Sequence, residues 1–313
     1  MKPGMKYLRP KFAIFLLFLT LSLLACQANP SEVNPSPSPS PDFAATSTPI
    51  QSTQTAAIQT PSVMPSPTAK QSTDEDFSSL EKELITGVDW YIVIQDANSG
   101  EVLFELNPTT PFPPASMIKI PTAMAVLSIL EDQGRTLEDL KTNGINGRNF
   151  DSLLEAMVVR SEESATDALE YFARGENQLR KTLDGWGLTN TKYDPRTSTA
   201  NELLISLKLL HTGAALNEEN TQYLLNLMSA FTENDQILLG KLTDQLPDCL
   251  FLNKRGTMLS PTIVSDMGIL SCGERNWYLV VAGTPSMDSI ATFEDIRASI
   301  EIFAAGFASL LKR

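Results

Sequence analysis

The chain has one histidine, His211, and three cysteines, Cys26, Cys249 and Cys272, among its 313 residues. A single histidine excludes a multi-histidine zinc site, and a Ser-His-Asp triad would have to rest on that one residue. No metal or other cofactor is expected. A hydrolase built on this sequence would therefore activate its nucleophile without histidine. Positive charge is also scarce: 24 Lys and Arg stand against 37 Asp and Glu, a formal charge of −13. Taking away the four basic groups of residues 1–25 (Lys2, Lys6, Arg9, Lys11) leaves −17. A body that acidic repels phosphate backbones and anionic headgroups, which excludes nucleic acid as a partner.

Long apolar runs are few. The run Phe12–Ala25 follows the basic segment Lys2–Lys11. Fourteen helical residues rise about 21 Å, short of the roughly 30 Å hydrocarbon core, so residues 1–25 read as an export signal and not a span. The run ends Leu23-Leu24-Ala25-Cys26, which resembles the lipobox of bacterial lipoproteins. That resemblance implies cleavage before Cys26 and its lipidation. The protein is then expected to be exported and anchored by lipid to the cell membrane, extracytoplasmic in the periplasm or at the cell surface.

Large apolar residues are almost missing from residues 26–75, where Pro, Ser, Thr, Gln and Ala dominate. Such a segment cannot bury enough surface to offset its ordering entropy and is expected to be a disordered linker. At about 3.1 Å per residue, a fully extended form reaches on the order of 150 Å, enough to hold a globular head away from a membrane.

Folding signals occupy residues 76–313. Phe77–Leu84 has the pattern of a short amphipathic helix. Trp90–Ile94 and Glu101–Leu106, separated by Ala97-Asn-Ser-Gly100, form a hairpin signal. Helical periodicity follows at 116–130, 150–159, 164–172, 177–186, 201–210 and 219–230. Strand patterns return at 250–253, 262–270 and 277–282, and a helix is expected at 293–311. The fold class is α+β: an antiparallel sheet drawn from both ends of the chain and packed with helices, plus an all-helical lobe. The cleft between the lobes is the expected ligand site, and the head is expected to act as a monomer.

The cysteines test this layout. A hairpin turn centred between Ser260 and Pro261 places Cys249 opposite Cys272. In an exported protein such a pair forms a cross-strand disulfide; two buried free thiols are the alternative.

A serine followed three residues later by lysine places both side chains on one helical face. A partly desolvated lysine there serves as base toward the hydroxyl. Two copies occur. Ser79-Leu-Glu-Lys82 lies among charges on a solvated face. Ser116-Met-Ile-Lys119 follows Pro-Phe-Pro-Pro-Ala and opens an apolar helix, where free backbone N–H groups and the positive dipole end lie beside Ser116.

Two further segments extend this pattern. Val158-Val-Arg-Ser161-Glu-Glu163 resembles the second motif of serine β-lactamases and penicillin-binding proteins. Asn253-Lys254-Arg255-Gly256-Thr257 resembles their Lys-Thr-Gly strand. Asp194-Pro-Arg-Thr-Ser-Thr199 resembles the end of the class A omega loop, and Ser265-Asp-Met-Gly-Ile269 the neighbouring strand. Across residues 76–313 the chain is thereby identified as a member of the class A β-lactamase-like serine hydrolase family.

The resemblance implies acylation of Ser116 by a β-lactam or D-Ala-D-Ala-like amide, with Lys119 handling its proton. Ser161 would pass a proton to the leaving nitrogen, and Lys254 would meet a substrate carboxylate. Backbone N–H groups of Ser116 and Thr257 would form the oxyanion hole, with Gly256 allowing close approach. Three departures stand out. Glu163 replaces an asparagine that contacts the substrate amide, so it either repels anionic substrates or pairs with Lys119. Arg255 replaces a threonine and either binds the carboxylate or points away. No Glu-Pro-x-x-Asn holds a deacylating water; Asp194 either stands in as base or is a turn residue, leaving deacylation slow. Three outcomes stay open: a β-lactamase, a penicillin-binding or D,D-peptidase-like protein, and a non-catalytic envelope-binding lipoprotein.

Overall fold

The computed structural model describes residues 77–174, 178–230 and 237–312, all within the compact unit Ala69–Arg313. The export signal, Cys26 and the whole linker lie outside the described residues. The strands are β1 (Val88–Asp96), β2 (Val102–Leu106), β3 (Gly144–Ile145), β4 (Arg148–Asn149), β5 (Lys192–Tyr193), β6 (Arg196–Thr197), β7 (Leu250–Leu259), β8 (Thr262–Cys272) and β9 (Arg275–Pro285). The helices are α1 (Lys119–Asp132), α2 (Leu137–Thr142), α3 (Phe150–Val158), α4 (Glu163–Arg174), α5 (Gln178–Gly185), α6 (Ala200–His211), α7 (Glu218–Met228), α8 (Leu242–Gln245) and α9 (Phe293–Leu311). Short 3-10 segments at Phe77–Glu83, Ala115–Ile118 and Leu238–Lys241 complete the set.

Both chain ends build one antiparallel sheet, in the order β2-β1-β9-β8-β7. This is the α+β arrangement read from the sequence. In β8, Ile263–Leu270 are all buried, because the sheet carries a layer on each face. On one face lies α9, whose Ile296, Ile300, Phe303 and Phe307 recur at helical spacing and are fully covered. Its start is fixed by a capping box, in which Thr292 Oγ1 accepts from Asp295 N and Asp295 accepts from Thr292 N. Removing one of these rings, as in Phe303→Ala, would cost about 3–5 kcal/mol.

The helical lobe covers the other face, with α1 at its centre. Every residue from Lys119 to Leu127 is buried, as expected of a helix that is apolar on all sides. The unusual member is Lys119, a cation sealed at the first position of that helix.

The Cys249–Cys272 disulfide is formed, and it closes the β7–β8 hairpin. The observed register pairs Leu250 with Ser271 and Leu259 with Thr262, so the turn falls at Ser260-Pro261. β7 and β8 run further than their sequence patterns suggested. Polar Asn253 and Lys254 interrupt the apolar alternation of β7, but both are buried. The opening segment Phe77–Glu83 is a 3-10 helix rather than an α-helix, and the short α2 had no counterpart in the sequence reading. Both are brief, and six or seven residues carry little periodicity.

Candidate active site

Ser116 lies in the 3-10 turn Ala115–Ile118, which leads directly into α1. The backbone N–H of Lys119 donates to Ser116 O, and residues three apart in such a turn eclipse one another. Ser116 and Lys119 therefore share a face. Ala115, just before the serine, has φ +48°, a left-handed conformation costly for a residue with a Cβ. Ser161, in the turn between α3 and α4, has φ +54°. Strained backbone thus accompanies both hydroxyl groups.

Side chains alternate across β7. Lys254 and Gly256 share the face of Leu252, which packs against the helical-lobe core, while Phe251, on the other parity, belongs to the α9-side core. Gly256 is indispensable here: a Cβ would lie 2.9 Å from Pro114 O and 3.0 Å from Ser116 N. The edge strand thus passes flush against the backbone of the candidate nucleophile.

The three motifs meet around Ser161. Lys254 Nζ donates to Ser161 Oγ, and Lys119 Nζ donates to Ser161 O at 2.7 Å. Lys119 Nζ also donates to Glu163 Oε1 at 2.5 Å. Among the described residues, no hydrogen bond to Ser116 Oγ is formed; the Lys119 amine is held by Ser161 and Glu163 instead.

Burial pushes Lys119 below the usual lysine range, and the hydrogen bond and charge of Glu163 pull it partly back. Burial would raise Glu163, but hydrogen bonds from Arg196 and Lys119 outweigh it and hold the carboxyl below the usual range. Glu163 pairs with Lys119, the second of its two readings.

The sequence reading did not single out Arg196. Its Nη1 donates to Glu163 Oε2 at 2.7 Å, and its Nη2 to Glu170 Oε1 at 3.1 Å and Asp167 Oδ1 at 3.5 Å. Glu170, nearly buried, is raised first by burial and lowered in part by Arg196 and Arg174. Arg196 sits on a two-strand hairpin in which Tyr193 pairs with Arg196. The turn residues are Asp194 and Pro195, both exposed. The Asp194 carboxylate makes no hydrogen bond or ion pair among the described residues, so the hairpin presents a guanidinium to the site where a base had been considered. A visible signal was the arginine itself, two residues past Asp194 in a chain short of positive charge.

Arg255 lies on the opposite parity of β7 from Lys254 and Gly256, on the α9 side. Its Cβ therefore leaves the strand on the face opposite that of Lys254. The Thr257 side chain has the same parity. Beneath them, buried Asp266 accepts from Asn253 Nδ2 at 2.9 and 3.0 Å and from Leu239 N at 3.2 Å. Burial pushes its carboxyl up to about 7. His211 closes α6 with Nδ1 2.9 Å from Tyr278 Oη. Trp277 is buried in β9 under the Arg275 guanidinium, and Trp186 packs on the helical-lobe core. The second Ser-x-x-Lys copy, at Ser79 and Lys82, lies apart from these groups on the opening 3-10 segment.

Similar folds occur among proteins of known structure. The TLA-3 extended-spectrum beta-lactamase superposes with a TM-score of 0.64 at 19% identity, covering 77% of this chain and 100% of that one. A beta-lactamase from Sphaerobacter thermophilus gives 0.60 at 17% identity, covering 75% and 97%. PBP-A also gives 0.60, at 18% identity, covering 76% and 97%. No curated protein matches the sequence. At these identities the superpositions establish the fold alone. The model of the beta-lactamase enzyme family matches residues 78–298, the span that carries Ser116, Lys119, Ser161 and Lys254, and the chain belongs to that family.

Proposed function

We propose that the head is a serine hydrolase that forms an acyl-enzyme on Ser116 with β-lactams or related amides and releases it slowly. The observation carrying this reading is Ser161: one lysine holds its hydroxyl, a second holds its carbonyl, and Gly256 of the same strand as Lys254 lies against Ser116 N. A pure binding surface does not require that arrangement.

In this reading Ser116 Oγ attacks the amide carbonyl carbon while neutral Lys119 takes its proton. The developing oxyanion is met by the N–H groups of Ser116 and Thr257; losing one such donor costs about 10²–10³ in rate. The C–N bond then breaks, and the Ser161 hydroxyl protonates the departing nitrogen. Because Ser161 Oγ accepts from Lys254, its own proton is available to donate. Lys254 also supplies positive charge to a substrate carboxylate.

Hydrolysis of the ester needs a base near the acyl carbon. Asp194 is turned to solvent in the hairpin, and Arg196 cannot lose a proton at physiological pH. Slow deacylation follows. This favours a penicillin-binding or D,D-peptidase-like behaviour over efficient turnover, and the paired state of Lys119 is what a non-catalytic relative would also display. As an exported lipoprotein, the protein would present this head on a tether outside the cytoplasm, as a monomer without a cofactor.

The test uses the full-length protein with a fluorescent penicillin and a chromogenic cephalosporin, beside Ser116→Ala. The expected result is a Ser116-dependent adduct that persists, with little colour change. Rapid colour change would reject slow deacylation. No Ser116-dependent reaction with either would reject the acylation reading.

A further inference from the structure

We propose that Arg196 is a positioning residue that governs how readily Lys119 gives up its proton, acting through Glu163. The inference rests on Lys119 serving as the base toward Ser116.

Lys119 is fully enclosed, so its charge depends on the few groups that reach it. On its own helix, no other charged residue occurs before Glu131. From α4 come Glu163, Asp167, Glu170 and Arg174. Arg196 comes from β6, and Lys254 of β7 meets the same residue, Ser161, at its hydroxyl where Lys119 meets its carbonyl. Tyr193 of β5, with its Oη 3.1 Å from Thr122 Oγ1, stays protonated because it is buried.

These groups form an alternating chain. Glu163 gives one oxygen to Lys119 at 2.5 Å and the other to Arg196 at 2.7 Å. Arg196 continues to Glu170, whose second oxygen takes Arg174 Nη2 at 3.3 Å. A carboxylate shared between two cations stabilises each less than it would stabilise one alone. Arg196 therefore draws on the negative charge that would otherwise keep Lys119 protonated. Its own charge acts in the same direction, as the lowering contribution of Arg196 to Lys119 indicates. Without Arg196, Glu163 would turn wholly to Lys119 and hold its proton more firmly.

A structural role as a clamp between the β5–β6 hairpin and α4 predicts something different. Loss of the clamp would lower the rate equally at every pH and would not depend on Glu163.

The experiment measures Ser116 acylation by a fluorescent penicillin between pH 5 and 10 in the full-length protein. The variants are Arg196→Ala, Arg196→Lys, Glu163→Gln and the double variant Arg196→Ala/Glu163→Gln. In parallel, the Lys119 Cε resonance, assigned by its loss in Lys119→Arg, is titrated by NMR without substrate. Arg196→Ala should move both midpoints upward by about one unit, making acylation about tenfold slower below the midpoint. Arg196→Lys should stay within about threefold of the unmodified protein, since the cation is retained. In the Glu163→Gln background, loss of Arg196 should move the midpoints by less than half as much. Unmoved midpoints after Arg196→Ala, or an equal shift with Glu163 absent, would overturn the proposal. If Arg196→Ala fails to fold, Arg196→Gln keeps a hydrogen-bonding side chain without the charge and is judged by the same outcomes. A wild-type protein that takes no label would sink the acylation reading, while the Lys119 titration would still decide the effect of Arg196.

Discussion

Replacing Glu163 by glutamine keeps a carbonyl oxygen within reach of Lys119 but removes its negative charge. In the present structure that carboxylate sits 2.5 Å from the Lys119 amine, with Lys119 fully enclosed and the Glu163 side chain 58% exposed. A hydrogen bond to a charged group contributes about 1.5–3 kcal/mol. Exposure of Glu163 screens part of this, so the lower end is appropriate, on the order of 1.4 kcal/mol. That corresponds to about one pH unit. Glu163 raises the Lys119 midpoint relative to burial alone, so its removal must lower it. Acylation of Ser116 by a fluorescent penicillin should therefore reach half its maximum about one unit lower in pH in Glu163→Gln. At pH values below the original midpoint the rate should rise about tenfold. High salt, which screens the exposed side of the pair, should produce a smaller shift in the same direction. The assay is a rapid-quench labelling series read on gels across pH 5–10, with melting curves confirming a folded variant. A midpoint that stays in place or moves upward would refute the assignment of Lys119 as the base, or of Glu163 as the group that keeps its proton.

Three other perturbations test separate parts of the structure. Gly256→Ala would drive a Cβ to within 2.9 Å of Pro114 O and 3.0 Å of Ser116 N; it should lower acylation about 10²-fold, and a full labelling rate would show that the β7–Ser116 approach is not needed. Removing the Cys249–Cys272 bond by double replacement with serine should cost about 3 kcal/mol on loop-closure grounds, lowering Tm by about 6–12 °C for a domain of this size; calorimetry under non-reducing conditions would show whether the loss occurs. Asp266 has its folded pKa raised by burial to about 7 against an ordinary value of 3.8, so its neutral form is favoured in the fold and the resulting stability is present at low pH and lost as pH rises through about 7. Denaturant titrations from pH 4 to 9 should show a decline of a few kcal/mol that is flattened in Asp266→Asn, and parallel curves for the two proteins would reject it.

Much of this architecture can be read from residue order. The α9 boundaries follow from Thr292, Asp295 and an apolar stripe that persists without interruption to Leu311. The β7–β8 register follows from one turn at Ser260-Pro261 and is confirmed by the disulfide at the far end of the ladder. The Ser116–Lys119 spacing reports a local geometry, whereas the meeting of Lys119 and Lys254 at Ser161 depends on how separate motifs pack. Arg196 was not legible in this way. Its role depends on a two-residue hairpin that turns it toward α4, 33 positions away from Glu163, and no periodicity encodes such a meeting. Asp194, a carboxylate before proline, fitted either a base or a turn residue in the sequence, and it lies exposed in the turn. The face from which Arg255 leaves β7 follows from counting alone, since it alternates with Lys254 along a strand.

The central claim is that Ser116 is an acylated nucleophile served by Lys119 and Ser161. Intact-mass measurement of the full-length protein after brief exposure to penicillin G, beside Ser116→Ala and Lys119→Ala, tests it most directly. The account predicts one added penicilloyl mass in the unmodified protein, located on Ser116 by peptide mapping, persisting for many minutes and absent from both variants. An unmodified mass at every time and concentration, or an adduct on another residue, would contradict it.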